Sequence, residues 1–238
     1  MGRIDDALLT LEATENKTER AFQLAGLLST LFKLKGVVLV VTGQLAFDCY
    51  ANATSDHPEL DLAVFSGKIA PRDLLEIMRS QVRARGAISH WTVAGIPVRF
   101  TGDATIAYRD LCRDFTTDHG VVKLVPVEEL TADRLLAAYY PEIDHEAHAQ
   151  ARLLLINGLS EAFHMDWPTL SAICHRPDYR VGEELAQLRQ AAKKDVDAIG
   201  ASVDPLEHRQ ELPAEIPAER PPTQTRRLPP IDDLSSLY

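Results

Sequence analysis

Two carboxylates stand one residue apart in an apolar segment of this 238-residue chain, in the run Glu59-Leu60-Asp61-Leu62. Successive side chains of a β-strand alternate faces, so Glu59 and Asp61 are expected to project from one face, about 6.6 Å apart. A buried carboxylate is costly unless it is paired, hydrogen-bonded or bound to metal. Mg²⁺, or Mn²⁺ in its place, accepts one or two protein carboxylates together with substrate phosphates. The pair therefore predicts a metal–nucleotide site.

Gly43 adds a second chemical feature, because it lies between an apolar strand and a helix. A residue without a side chain lets a phosphate approach the free backbone N–H groups at the positive end of a helix. The same glycine is also expected wherever the chain has to turn out of a strand. Both readings of Gly43 stay open at the level of sequence.

The elements that position these residues follow from hydrophobic periodicity. We predict an amphipathic helix at 18–35, an all-apolar strand at 37–41 and a short helix at 44–52. A second strand at 59–65, a longer helix at 71–85 and a β-hairpin at 87–100 follow. After a less regular segment at 101–120, a short strand and several helices follow. The prediction is an α+β fold with a small mixed β-sheet followed by a helical C-terminal half.

The chain divides into three predicted regions. An α/β core is expected at 1–120 and a helical domain packed on it at 121–204. The remaining residues, 205–238, contain seven of the chain's 14 prolines and no glycine. Such a composition predicts a disordered, Pro-rich tail that is not required for folding.

Composition excludes several classes of protein. A net charge of −10 and a pI near 5.3 argue against extensive nucleic-acid binding. Three widely spaced cysteines indicate neither a disulfide framework nor a zinc site, which favours a reducing compartment. The longest aliphatic run, at 37–41, is too short to span a bilayer, and the charged N-terminus lacks the apolar core of a signal peptide. A cytoplasmic protein with no membrane partner is expected.

The segments VVTGQ and ELDL resemble the nucleotidyltransferase superfold, the polymerase-β-like family. The segment that begins GVVKLVPVEEL is similar to uncharacterised prokaryotic members, including relatives of abortive-infection toxins, and the resemblance covers about 18–190. It implies that Gly43 and Gln44 hold the phosphates of a nucleoside triphosphate while Glu59 and Asp61 bind the metals. The implied reaction moves a nucleoside monophosphate to an unidentified acceptor, in a toxin-like or other role.

The chain departs from this family at several positions. Gln44 stands where the family has Gly or Ser, and Glu59 where it has Asp. Arg99 occupies the strand where a third carboxylate is expected, and Asp103 lies about 13 Å further along an extended chain. An Arg99 on the same face as the acids would pair with one of them in place of a metal. The alternative is therefore a catalytically degenerate binding or regulatory protein that meets a partner through its helical half or tail.

Other motifs have structural explanations. Glu59 and Asp61 could form the solvated acidic face of an edge strand. The run DHEAH lacks the spacing of a zinc-binding helix, and adjacent residues such as Cys174 and His175 diverge around a helix axis. Three arginines at 79, 83 and 85 are predicted to lie on the helix at 71–85, as a solvated face or a contact for an acidic partner.

Overall fold

The computed structural model describes residues 3–202, which belong to one compact unit. The predicted tail at 205–238 lies outside the described residues. The helices are α1 (Arg3–Ala13), α2 (Lys17–Lys33), α3 (Gly43–Ala51), α4 (Pro71–Leu75), α5 (Val127–Tyr139), α6 (His145–Leu159), α7 (Trp167–Cys174) and α8 (Gly182–Ser202). The strands are β1 (Val38–Thr42), β2 (Leu60–Ser66), β3 (Arg85–Ala87), β4 (His90–Val93), β5 (Ile96–Asp103), β6 (Arg113–Thr117) and β7 (Gly120–Leu124).

The seven strands form one mixed sheet in the order β3-β4-β5-β2-β1-β7-β6. The pairs β2–β5 and β1–β7 are parallel, and the other neighbours are antiparallel. The predicted α+β class, with a mixed sheet followed by a helical half, is confirmed. The sheet includes β7, which lies beyond residue 120. The boundary between the core and the helical domain at residue 120 stays a prediction.

The two central strands are the most apolar ones. Residues Leu39, Val40 and Val41 of β1 are at most 2% exposed, as expected for a strand covered on both faces. Helix α2 contacts β1, β2, β5, β6 and β7, and its Leu24, Leu28 and Phe32 are completely buried. Helix α3 lies against β1 and β2 and also contacts α5 and α6. It therefore links the sheet to the helical half.

The predicted helix at 71–85 is helical only over 71–81. It continues from α4 as a π-helical segment, Glu76–Gln81, and then ends. Residues 85–87 instead form β3, where Gly86 pairs with Trp91 so closely that a β-carbon would lie 2.2 Å from the His90 carbonyl oxygen. Pairing with β4 thus overrides helical periodicity.

The basic cluster predicted on that helix is dispersed as a result. The Arg79 guanidinium lies 5.8 Å from the ring centroid of Trp91, and Arg83 forms an ion pair with Asp5. Arg85 lies in β3. Strand β6 was also missed, in the segment expected to be irregular, where consecutive residues at 113–117 pair with β7. Within residues 3–202 no helix is long and apolar enough to cross a membrane.

Candidate functional site

Asp61 and Arg99 form a bidentate ion pair at the centre of the sheet. The two residues are directly opposite each other in the parallel pair β2–β5. Arg99 Nε and Nη2 donate to Asp61 Oδ1 and Oδ2, both at 2.7 Å. The Asp61 side chain is only 9% exposed, whereas that of Arg99 is 48% exposed. The hydrogen bond to Asp61 raises the pKa of Arg99, so a permanent cation compensates the buried carboxylate.

Glu59 differs from Asp61 in its environment. It precedes β2 rather than lying within it, and its side chain is exposed. Its negative charge contributes to the raised pKa of Arg99, but it forms no ion pair within the described residues. The expectation of a solvated acidic edge strand is wrong for Asp61, because β2 is a central strand and Asp61 is buried.

Gly43 is the first residue of α3 and has a positive φ of 66°. A β-carbon at this position would lie 2.4 Å from Asp61 Oδ2, so the carboxylate sits directly beside the amino end of the helix. Thr42, which precedes the helix, makes no side-chain capping hydrogen bond. The N–H groups of the first turn thus have no side-chain cap, which is compatible with the predicted phosphate contact.

Gln44 has both ends of its side-chain amide engaged. Its Nε2 donates to Asp48 Oδ1 at 2.8 Å, and its Oε1 accepts from Gln150 Nε2 at 3.1 Å. The side chain therefore connects α3 to α6, which leaves the main-chain N–H and one Nε2 hydrogen for the predicted phosphate contact. Asp48 is 2% exposed, and this burial raises the pKa of its carboxyl group.

Asp103, the candidate third carboxylate, does not lie beside Asp61. It is opposite Val64 at the end of β5, and the register between β2 and β5 shifts between Leu62 and Ala63. Three residues along β2 correspond to about 10 Å. Within residues 3–202 no group of three or more His, Cys, Asp or Glu side chains could hold a metal ion. Since Arg99 occupies both Asp61 oxygens, the arrangement does not fit Mg²⁺.

A polar cavity of about 360 Å³, here called the α3 cavity, adjoins Gly43. Its lining includes Thr42, Gly43, Asp103, Glu129, Asp133, Arg176 and Tyr179. Glu129 Oε1 accepts from the N–H groups of Ala107 and Tyr108, at 2.8 and 2.9 Å. The Tyr179 hydroxyl donates to Asp133 Oδ1 at 2.5 Å. The cavity is thus shared by the strand ends and the helical half.

Sequence reasoning missed the helical side of this cavity. One signal was available, because Glu129 and Asp133 are four residues apart and such residues lie on one face of a helix. The DHEAH run and Cys174, for which structural roles were predicted, have local structural explanations. Asp144 caps α6 by accepting from the Glu146 and Ala147 N–H groups, and burial raises the pKa of the Cys174 thiol to about 12.

Comparison with known proteins finds solved structures of low similarity. No family model and no curated protein matches the chain. An antigenic nucleotidyltransferase-like protein from Paracoccidioides brasiliensis is 12% identical, with a TM-score of 0.45 over 75% of this chain and 94% of that one. The antibiotic-resistance factor ANT(2'')-Ia is 13% identical, with a TM-score of 0.41 over 73% and 91%. A function therefore has to be argued from the geometry around Asp61.

Proposed function

We propose that this chain is a nucleotidyltransferase-like protein that binds a nucleoside triphosphate without metal and does not transfer the nucleotide. The bidentate pair of Arg99 with Asp61 carries the proposal. Metal-dependent nucleotidyl transfer needs a carboxylate cluster that is free to bind Mg²⁺. In this chain the most buried acid of the predicted site already has a cation.

The same pair makes a metal-independent phosphate contact feasible. An unpaired Asp61 beside Gly43 would repel a phosphate at the amino end of α3. Arg99 neutralises this charge, so the first-turn N–H groups of α3 can meet an anion. The polar α3 cavity next to them offers about 360 Å³ for the rest of the ligand. A protein partner bound through the helical half, and a toxin-like role, stay predictions.

An active Mg²⁺- or Mn²⁺-dependent transferase is the second candidate. Glu59 is exposed two residues from Asp61, and Asp103 lines the same cavity as Gly43, so both acids are accessible. This function would require Arg99 to leave Asp61 when metal and nucleotide bind.

Thermal melting with and without Mn²⁺ separates the two candidates. Replacing Arg99 by Asp places like charges beside Asp61, so Arg99→Asp should melt lower than the unmodified protein and be stabilised by Mn²⁺. The unmodified protein should show no metal-induced rise. Arg72→Asp, an exposed substitution on α4, is the control for added negative charge. A Mn²⁺-induced rise as large in the unmodified protein as in Arg99→Asp would favour the active enzyme.

Calorimetric titration with ATP and CTP tests binding directly. Under the proposal, affinity is the same in EDTA and in Mg²⁺, and labelled nucleotide is not transferred to RNA, protein or small molecules in a cell extract. Binding that requires Mg²⁺, accompanied by label transfer, would overturn the proposal.

A further inference from the structure

We propose that a second cavity, here called the hairpin cavity, binds a phosphate group. It is an open space of about 360 Å³ over β3, β4 and β5. Its polar lining consists of Arg85, His90, Thr92, Arg99 and Glu59. None of its lining residues belongs to the α3 cavity. The inference goes beyond the proposed function and does not depend on it.

Strand register brings the three basic side chains of this cavity to one face. His90 is opposite Arg99 in the pair β4–β5, and Arg99 is opposite Asp61. Arg85 is opposite Thr92, two residues from His90 along β4. Directly opposite residues of neighbouring strands point to the same side of a sheet, as do residues two apart in one strand. Arg85, His90 and Arg99 therefore share a face.

These side chains keep hydrogen-bond donors that the fold does not use. Nε and Nη2 of Arg99 donate to Asp61, so Nη1 remains available to donate to a ligand. Arg85 has no side-chain hydrogen bond or ion pair with any residue of 3–202, and His90 contacts Ser89 Oγ through Nδ1 only, at 3.0 Å. All three basic residues are exposed. The cavity thus presents two guanidinium groups and one imidazole nitrogen to solvent.

The chemistry of these donors selects the ligand. Guanidinium groups match the geometry of phosphate oxygens and remain charged at all physiological pH values. Asp61, the nearest acid on the same face, is already neutralised by Arg99, and Glu59 is the only acid in the lining of the cavity. The Arg85 guanidinium has no acidic partner within residues 3–202, although the whole chain has a net charge of −10. The ligand is therefore a phosphate group, either free or carried by a nucleotide or a single-stranded oligonucleotide.

Metal-free titration of the full chain at low salt tests the site. Inorganic phosphate, AMP and a short oligothymidylate are the three probes, and the NMR signals of the His90 imidazole report on the cavity itself. We expect all three probes to shift these signals. The probe that binds most tightly identifies the source of the phosphate as the free ion, a monoester or a diester.

Two arginine substitutions make the test specific. Arg85→Ala removes one guanidinium from the cavity and should weaken phosphate binding by about tenfold, as expected for loss of one charge-assisted hydrogen-bonding group. Arg72→Ala removes the same charge from an exposed position on α4 and should leave the affinity unchanged. Circular dichroism verifies that both variants are folded.

Three results would overturn the proposal. They are an unperturbed His90 imidazole at saturating phosphate, unchanged affinity in Arg85→Ala, and equal weakening by Arg85→Ala and Arg72→Ala. The last would mean that the probes respond only to overall charge. If Arg85→Ala does not fold, Arg85→Gln replaces it, keeps the His90 reporter and is judged by the same criteria. None of these results affects the metal-replacement role of Arg99, which melting with Mn²⁺ tests separately.

Discussion

The carboxylate of Asp61 lies directly against Gly43. A β-carbon at position 43 would be only 2.4 Å from Asp61 Oδ2. Gly43 is therefore required for two reasons. Its φ of 66° disfavours other residues, and its missing side chain leaves room for the acid that pairs with Arg99. The glycine and the acid, 18 positions apart in sequence, form one structural unit.

Gly43→Ala should lower the free energy of unfolding by more than the cost of placing alanine at a positive φ, because the new methyl group also meets Asp61. Gly36 is the matched control, because its φ is 75° and a β-carbon there would have no neighbour within 4 Å. We expect Gly36→Ala to cost about 1 kcal/mol of unfolding free energy, and Gly43→Ala about 1–2 kcal/mol more. Urea unfolding of both variants measures the difference.

The excess cost of Gly43→Ala should depend on Asp61. In an Asp61→Ala background the carboxylate is absent, so Gly43→Ala should cost no more than Gly36→Ala. An excess that persists in this background would show that the contact between Gly43 and Asp61 is not the cause.

Breaking the ion pair from its two sides should have unequal effects. Arg99→Met leaves a carboxylate that is 9% exposed without its cation, whereas Asp61→Asn leaves a guanidinium that is 48% exposed and can be hydrated. We expect Arg99→Met to cost about 2–3 kcal/mol, less than for a fully buried pair, and Asp61→Asn to cost clearly less. In the double variant, which carries both Arg99→Met and Asp61→Asn, part of the lost free energy of unfolding should be recovered. Equal costs for the two single variants would contradict the asymmetry.

Glu129 is predicted to matter as a hydrogen-bond acceptor and not as a charge. It is 5% exposed, burial raises the pKa of its carboxyl group, and one oxygen accepts from the Ala107 and Tyr108 N–H groups. Glu129→Gln keeps this oxygen as an acceptor and should change the free energy of unfolding by less than about 1 kcal/mol. Glu129→Ala leaves two N–H groups unpaired and should cost about 2–4 kcal/mol. Similar losses in both variants would show that the charge is important.

Asp48 should make stability depend on pH. Because burial raises its pKa in the folded state, the folded protein binds the proton more tightly than the unfolded chain does. The resulting contribution of Asp48 to the free energy of unfolding is fully present below the pKa of the unfolded chain, about 3.9. It is lost as the pH rises through the raised pKa of the folded protein. Asp48→Asn should therefore become more stable than the unmodified protein as the pH increases from 4 to 7. Urea unfolding across this range measures the effect, and exposed Asp110→Asn should not show it.

Much of the fold could be predicted because its central elements have strong local signals. The run at 37–41 is apolar on both faces and contributes to β1, one of the two central strands. The three- and four-residue spacing from Phe22 to Phe32 lies in α2. Prediction failed where the signal was weak. Arg85 continues a helical pattern by composition, but its segment pairs with β4, and tertiary hydrogen bonds outweigh propensity over three residues.

The sequence by itself determined that Gly43 follows a strand, that Asp61 lies in an apolar strand, and that Arg99 stands where the family resemblance implies a third acid. Only the tertiary structure decided what these residues do to one another. Strand register places Arg99 directly opposite Asp61, and the shift after Leu62 carries Asp103 away from it. A one-residue change of register would reverse which face each side chain occupies, so local sequence could not fix the pairing. The ion pair depends on long-range strand alignment, and that alignment is set by the packing of the whole sheet.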